Sequence, residues 1–232
     1  MKRFRGSIIK GFVIAVLMVP VVGCGSFSSV SSVVSGTKAE VSAPSQEDSS
    51  EPEKYHFVKV ADYIPDILVE LKYASSDNFV GEVIYGFTDA YLRYGTVKKL
   101  AAAQKELAEQ GYGLKIWDAF RPASAQFTLW EKVPDPDYVA DPNTGYSDHT
   151  RGNAVDVTLV TADGKEVEMP TGFDDFTGAA DRDYSDVGEA AAANALLLEQ
   201  VMEENGFEPL NEEWWHFSDS TSYPADEEFD PQ

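Results

Sequence analysis

Three histidines and the carboxylates near two of them are the side chains best suited to chemistry: His56, His149 and His216. His149 lies in the segment 147–156 (SDHTRGNAVD), and His216 ends the segment 213–216 (EWWH). Two imidazoles and one carboxylate form a three-ligand zinc set that leaves a fourth position for water, as catalytic zinc sites require. We therefore predict one Zn²⁺ per chain, bound by His149, Asp156 and His216.

Hydrolysis at such a site also needs a carboxylate that moves a proton without binding the metal. Zinc lowers the pKa of its water to ~7, but a base must still take the proton and later deliver it to the leaving amine. Glu213 is predicted for this role, in the turn that enters the last strand, because strict strand geometry would send positions 213 and 216 to opposite faces. Glu212 is a competing carboxylate that geometry does not exclude.

The strand that carries Asp156 is indicated by alternation. Residues 154–159 (AVDVTL) alternate with period two, so Val155, Val157 and Leu159 are expected to face the core. Asp156 would then lie on an open sheet face, together with Ala154 and Thr158.

Helices and short strands are expected around this strand. Thr96 is predicted to cap a helix with an apolar face through Val97, Leu100, Ala101 and Leu107, which Gly111 ends. Other predicted elements are a strand over 114–117, helices over 122–132 and 190–204, and a final turn and strand over 207–217. Because no βαβ unit repeats, we predict an α+β fold with a small antiparallel or mixed sheet and packed helices.

The N-terminal segment predicts export. Residues 1–24 begin with a basic stretch (MKRFR), continue through an apolar run and end in VVGC. This ending resembles a bacterial lipobox, so Cys24, the single cysteine, is the predicted lipidation site and the protein would be anchored outside the cytoplasm on the cell membrane. The alternatives are a transmembrane anchor, for which the run is short against ~20 residues, and an ordinary signal peptide. Residues 25–54 are predicted to be a disordered tether and 55–232 a single domain.

Composition excludes several classes of function. The 232 residues carry 40 acidic and 18 basic side chains, a net charge of −22, which repels nucleic acid. With one cysteine, neither an intramolecular disulfide nor a cysteine-rich zinc site can form.

The histidine segments together resemble a known family. Ser-x-His, six residues and Asp, followed some sixty residues later by Glu-x-Trp-His, is similar to the zinc D-Ala-D-Ala peptidases, which include VanX-type dipeptidases, VanY-type carboxypeptidases and, more distantly, Hedgehog domains. Segments 71–74 (LKYA), 77–79 (DNF) and 111–122 (GYGLKIWDAFRP) resemble the VanX-type branch. The likeness spans roughly residues 60–220.

This resemblance implies further roles. Arg121 would support the tetrahedral intermediate, Ser147 would meet the carboxylate of the substrate and Asp174 its free amino group. The alternatives are an ion pair of Arg121 with Asp118 that holds a turn, a turn residue at Ser147, and a solvated surface carboxylate at Asp174. Segment 169–172 (MPTG) departs from the family pattern. It lies in the loop that orients Asp174, so Asp174 is the predicted site residue whose position depends on this departure.

Hydrolysis of D-Ala-D-Ala, or of a similar small D,D-dipeptide, is the function that the resemblance favours. A D,D-carboxypeptidase that trims peptidoglycan stems is the alternative if Asp174 does not close the site at the amino end of the substrate, so that a longer peptide can bind. A non-catalytic zinc- or peptide-binding module is a third hypothesis, against which Glu213 argues, since a binder needs no proton carrier.

Overall fold

The computed structural model describes residues 51–136 and 138–231. The predicted signal segment, Cys24 and nearly all of the predicted tether therefore lie outside the described residues. The strands are β1 Phe57–Lys59, β2 Leu68–Val69, β3 Tyr91–Arg93, β4 Tyr112–Asp118, β5 Ala154–Thr161, β6 Phe207–Leu210 and β7 Glu213–Asp219. The α-helices are α1 Tyr94–Glu109, α2 Ala123–Lys132, α3 Asp148–Arg151 and α4 Glu189–Glu204. Among the described residues, no helix is both long and apolar enough to span a membrane.

A mixed five-stranded sheet organises the domain, in the order β2-β4-β5-β7-β6. β2 pairs with β4 in parallel, whereas the other neighbours are antiparallel. β1 and β3 form a separate antiparallel pair. The predicted α+β class is confirmed.

Helices α1 and α4 pack against each other and against the sheet. Their buried residues join those of β4 and β5 in one hydrophobic core, whose fully buried members include Leu100, Leu107, Leu198, Leu114, Ile116, Val155, Val157 and Leu159. The period-two prediction for β5 is thus confirmed for its core face. Its other face was wrongly expected to be open: Ala154, Asp156 and Thr158 are all at most 2% exposed.

The first helix begins earlier than its sequence suggests. α1 starts at Tyr94, so Thr96 lies inside the helix and does not cap it. The Thr96 hydroxyl instead donates to Oδ2 of the buried Asp219 at 2.8 Å, a tertiary bond between residues 123 positions apart. The predicted end is confirmed, since Gly111 follows the helix with a φ of +85°, a conformation that glycine adopts at little cost.

Two register shifts in the sheet change the direction of side chains. Between Ile116 and Asp118 the register of β4 against β5 shifts, which brings Asp118 opposite Asp156. Between Pro209 and Leu210 the register of β6 against β7 shifts as well, so that Leu210 pairs with Glu213 while Pro209 pairs with Phe217. Bulges of this kind bend a strand and change which face its residues use.

Candidate metal centre

His149, Asp156 and His216 form a compact group, with one ligand atom of each within 4.8 Å of the others. His149 Nε2 lies 3.4 Å from Asp156 Oδ2, and His216 Nδ1 lies 3.0 Å from Asp156 Oδ1. The two facing imidazole nitrogens are 3.2 Å apart. Three different elements supply them, namely α3, β5 and β7. His56 is exposed in the N-terminal part of the domain, outside this group.

The sheet itself brings two of these residues together. Asp156 and His216 are directly opposite in the antiparallel pair of β5 and β7, so their side chains share a face. His149 reaches the same face from α3, which Ser147 caps by accepting a bond from the Thr150 N–H at 3.2 Å. α3 ends at Gly152 in the left-handed conformation (φ +76°), where an added Cβ would overlap the ring of Phe57.

Each imidazole is oriented through its other nitrogen. His149 Nδ1 lies 2.8 Å from the carbonyl oxygen of Ala119, to which it donates, so Nε2 is the nitrogen that faces the group. His216 Nε2 lies 3.2 Å from Oγ of Ser218, whose hydroxyl donates to Asp148 Oδ2 at 3.0 Å. Metal-binding histidines have this arrangement, so the donor set fits a zinc ion.

The electrostatics of the group are those of one buried carboxylate between two imidazoles. Burial would lower the pKa of His149, but the adjacent Asp156 outweighs it and raises that pKa to about 8. Burial would also raise the pKa of Asp156, yet the two imidazoles lower it well below its ordinary value. Asp156 therefore keeps its charge beside the two imidazoles, as a ligand of a divalent cation must.

Glu213 lies beside the group on the first residue of β7. Its Oε2 is 3.9 Å from His216 Nδ1, and burial, with a further contribution from Asp156, raises its pKa. The expectation of a turn at Glu213 was wrong, because the residue belongs to the strand. In a regular strand Glu213 and His216 would lie on opposite faces, but the register shift makes this part of β7 irregular. Glu212, the competing carboxylate, is exposed in the turn before β7, whereas Glu213 lines the cavity.

The surroundings of Arg121 are compatible with both suggested roles, the ion pair with Asp118 and the support of the tetrahedral intermediate. Its Nε and Nη2 donate to Asp118 Oδ2 at 3.1 and 2.8 Å, and its Nη1 donates to Gln126 Oε1 at 2.9 Å. Burial opposes its charge, but Asp118 outweighs this and raises the pKa of Arg121 well above its ordinary value. Arg121 also lines the cavity together with the histidines, so the ion pair fixes the cation beside the group.

Asp174 reaches the same cavity from the loop after segment 169–172. Its Oδ2 accepts a bond from the Tyr73 hydroxyl at 2.9 Å, and its backbone has a φ of +55°. Burial and the nearby Asp156 raise the pKa of Asp174 well above its ordinary value. Asp174 is therefore not the solvated carboxylate of the alternative interpretation, and the departure in segment 169–172 does not keep it from the site.

These side chains enclose a cavity of about 270 Å³. Typical small-ligand pockets are ~300–1,000 Å³, so this one suits a small ligand. Its lining includes all of the predicted site residues of the domain: Arg121, Ser147, His149, Asp156, Asp174, Glu213 and His216. A larger cavity of about 650 Å³ is lined in part by Phe120, Pro122, Tyr146 and Thr150. None of the seven predicted residues lines it, so we assign the chemistry to the smaller cavity.

Sequence reasoning missed several contributors. Tyr73, the Ala119 carbonyl and Ser218 bond directly to predicted site residues. Ser218 had a usable signal, because a residue two positions after a ligand on a strand shares its face. The Ala119 carbonyl had none, since any residue type supplies one.

Comparison with known proteins gives a consistent result over almost all of the described region. The peptidase M15 family model, described as D-Ala-D-Ala dipeptidase, matches residues 53–230. The D-alanyl-D-alanine dipeptidase of Escherichia coli K12 is 39% identical over 169 residues, which cover 72% of this chain and 87% of the relative. The enzyme of the same name from Enterococcus faecalis V583 is 34% identical over 169 residues (64% and 83%). That from Streptomyces coelicolor is 32% identical over 183 residues (70% and 90%).

Proposed function

The chain belongs to the peptidase M15 family of D-Ala-D-Ala dipeptidases, and from this we propose that it is a zinc enzyme that hydrolyses D-Ala-D-Ala. The observation that carries the proposal is the joint placement of a His-Asp-His group, a half-buried glutamate and a second acidic residue in one small cavity. The first two suit hydrolysis, and the third suits a substrate with a free amino group.

His149, Asp156 and His216 would hold the zinc ion. When bound to three such ligands, zinc supplies a Lewis acid and a water of pKa ~7. Glu213 would take the water proton on its carboxylate and deliver it to the nitrogen of the leaving D-alanine. Its raised pKa suits this, because a group that both accepts and donates a proton works best when its pKa approaches the working pH.

Arg121 would donate from its guanidinium to the substrate carbonyl oxygen as negative charge develops there. Asp118 and Gln126 hold the guanidinium in advance, so little reorganisation is needed at the moment of reaction. Arg121 is permanently charged, whereas a neutral donor would stabilise the oxyanion less.

The two ends of the dipeptide have separate partners. Asp174, with the Tyr73 hydroxyl beside it, would accept bonds from the substrate ammonium group. Ser147 Oγ accepts from the Thr150 N–H and also lies 3.1 Å from the Thr150 hydroxyl. With the Thr150 hydroxyl as the donor between them, Ser147 would offer its own proton to the substrate carboxylate. A pocket that binds both charged ends favours a dipeptide over a longer chain.

The alternative, a D,D-carboxypeptidase, requires room beyond the amino end. Asp174, which lines the cavity, would lie at that end, which favours the dipeptidase. The test measures D-alanine release from D-Ala-D-Ala and from a stem pentapeptide by the zinc-loaded protein. We expect release from the dipeptide; release from the pentapeptide alone would move the assignment to wall trimming, and release from neither would contradict both.

We further propose that the protein is exported and lipidated at Cys24, outside the described residues. The support is the basic start, the apolar run and the VVGC ending that contains the single cysteine. Outside the cytoplasm, a dipeptidase would recover D-alanine from cell-wall turnover. Labelled palmitate should enter the wild-type protein and not Cys24→Ser, and equal labelling of both would contradict lipidation at this residue.

A further inference from the structure

The guanidinium of Arg182 binds the backbone of the segment that carries Glu213 and His216. Its Nη2 donates to the carbonyl oxygens of Glu213 at 3.1 Å and of His216 at 2.9 Å. Its Nε donates to the carbonyl oxygen of Leu210 at 2.8 Å. One side chain thus joins the end of β6 to both chemically important positions of β7.

The pairing of the strands explains why the His216 carbonyl needs a donor from outside β6. In the described register of β6 against β7, Glu213 is opposite Leu210 and Phe217 is opposite Pro209, so residues 214–216 have no opposite residue on β6. A carbonyl that is shielded from water and has no donor destabilises the conformation that leaves it unpaired. Without the shift, positions 213 and 216 would also point to opposite faces.

The guanidinium is itself held firmly. Its Nη1 donates to Glu199 Oε2 at 2.9 Å and to the Tyr184 hydroxyl at 3.2 Å, so all five of its N–H groups have acceptors. It lies 4.6 Å from the centroid of the Phe217 ring, and its side chain is 7% exposed. The cavity lining does not include it.

We propose that Arg182 is a positioning residue of the zinc site. It holds the irregular start of β7 in the one conformation that directs Glu213 and His216 into the same cavity. This inference rests on the proposed function of that cavity. Only a planar fork can bridge these carbonyls at once, because the lysine ammonium is a single point donor on a flexible stem.

The test compares Arg182→Lys with Tyr184→Phe. The lysine variant keeps the charge beside Glu199 but loses the bridge, whereas the phenylalanine variant loses a bond to the guanidinium and keeps every carbonyl bond. Zinc affinity is measured by competition with a chelator, and kcat and KM are measured on D-Ala-D-Ala. For Arg182→Lys we expect zinc affinity and kcat to fall by about 10–100-fold, as for other residues that orient metal ligands. KM should change little, and Tyr184→Phe should resemble the wild type.

A folded Arg182→Lys that binds zinc and turns over like Tyr184→Phe would overturn the proposal. If Arg182→Lys does not fold, Glu199→Gln decides, because losing the ion pair with Nη1 loosens the guanidinium and weakens its carbonyl bonds, whereas Tyr184→Phe keeps that ion pair. Its zinc affinity should fall in the same direction by a smaller factor, and unchanged affinity would overturn the proposal. Zinc affinity needs no substrate, so a wild type inactive on D-Ala-D-Ala would contradict the proposed function and still leave Arg182 tested.

Discussion

Individual side chains in this site each have a second partner that fixes their orientation. The Ala119 carbonyl holds Nδ1 of His149, and Ser218 holds Nε2 of His216. The free nitrogen of each ring consequently points at Asp156. Such preorganisation lowers the entropy that metal binding would otherwise cost.

The pKa of His149 makes zinc binding depend on pH. Asp156 raises this pKa to about 8, so the imidazole of the metal-free protein is protonated at pH 7, and zinc must displace that proton. We expect zinc affinity to rise as pH increases from 6 to about 8 and then to level off, with proton release on binding at pH 7. Isothermal titration calorimetry in buffers of different ionisation enthalpy measures this release. A pH-independent affinity without proton release would contradict the assignment.

Asp174 should determine the preference for a free amino group. We expect Asp174→Asn to lower kcat/KM on D-Ala-D-Ala by about 10–100-fold, since hydrogen bonds to charged groups contribute about 1.5–3 kcal/mol. Activity on N-acetyl-D-Ala-D-Ala, which lacks the charge, should change much less. Asp175→Asn is the matched control, because Asp175 accepts a bond from the Thr177 N–H within its own loop. An unchanged ratio between the two substrates would remove Asp174 from this role.

Residue types and spacing, together with the family resemblance, predicted the three side chains that the structure brings within 4.8 Å of one another, because imidazoles are scarce here and zinc chemistry restricts the choice. Spacing did not decide between Glu212 and Glu213, since the answer depends on a register shift. The partners Tyr73 and Arg182 were not predictable either, because they lie 101 and 31 residues from the groups that they bind.

At the scale of elements, the site depends on departures from regular structure. One bulge brings Asp118 opposite Asp156, and another brings Glu213 to the face of His216. Periodicity predicts regular strands and helices well, as for β5 and α4. It cannot predict bulges, or the early start of α1, because tertiary contacts decide them.

Gly152 ends α3 directly after the segment that holds His149. Gly152→Ala should destabilise the protein by at least about 1 kcal/mol, because the left-handed conformation disfavours a side chain, and the new methyl would also overlap Phe57. Zinc affinity should fall with it. Gly172→Ala is the control, since nothing lies within 4 Å of its added Cβ. Urea unfolding measures the stability of both variants. Equal stability would show that a side chain at position 152 causes no strain.

For the whole molecule, a zinc ion would join three elements that are far apart in sequence. α3, β5 and β7 each contribute one side chain to this group. The α+β class was predictable because the alternation of short strands and helices is a global property. Which faces of the sheet would be covered could not be predicted, because the covering depends on how loops such as the one that carries Asp174 fold over the sheet.

Zinc should therefore stabilise the entire fold. At free zinc 100-fold above its Kd the gain is about 2.7 kcal/mol, which corresponds to roughly 5–10 °C in Tm for a domain of this size. Differential scanning calorimetry with and without a chelator measures the shift. His149→Ala should show little response to zinc, and a wild type whose Tm ignores chelation would contradict a bound zinc.

The most direct test of the central claim is the rate of D-alanine release from D-Ala-D-Ala by wild type and Glu213→Gln at equal zinc content. The glutamine is nearly isosteric but cannot carry the proton. We predict one zinc per chain in both proteins and a kcat about 10²–10⁴-fold lower in Glu213→Gln. A fully active Glu213→Gln, with activity lost instead in Glu212→Gln, would show that the proton is carried by another group and would contradict the account.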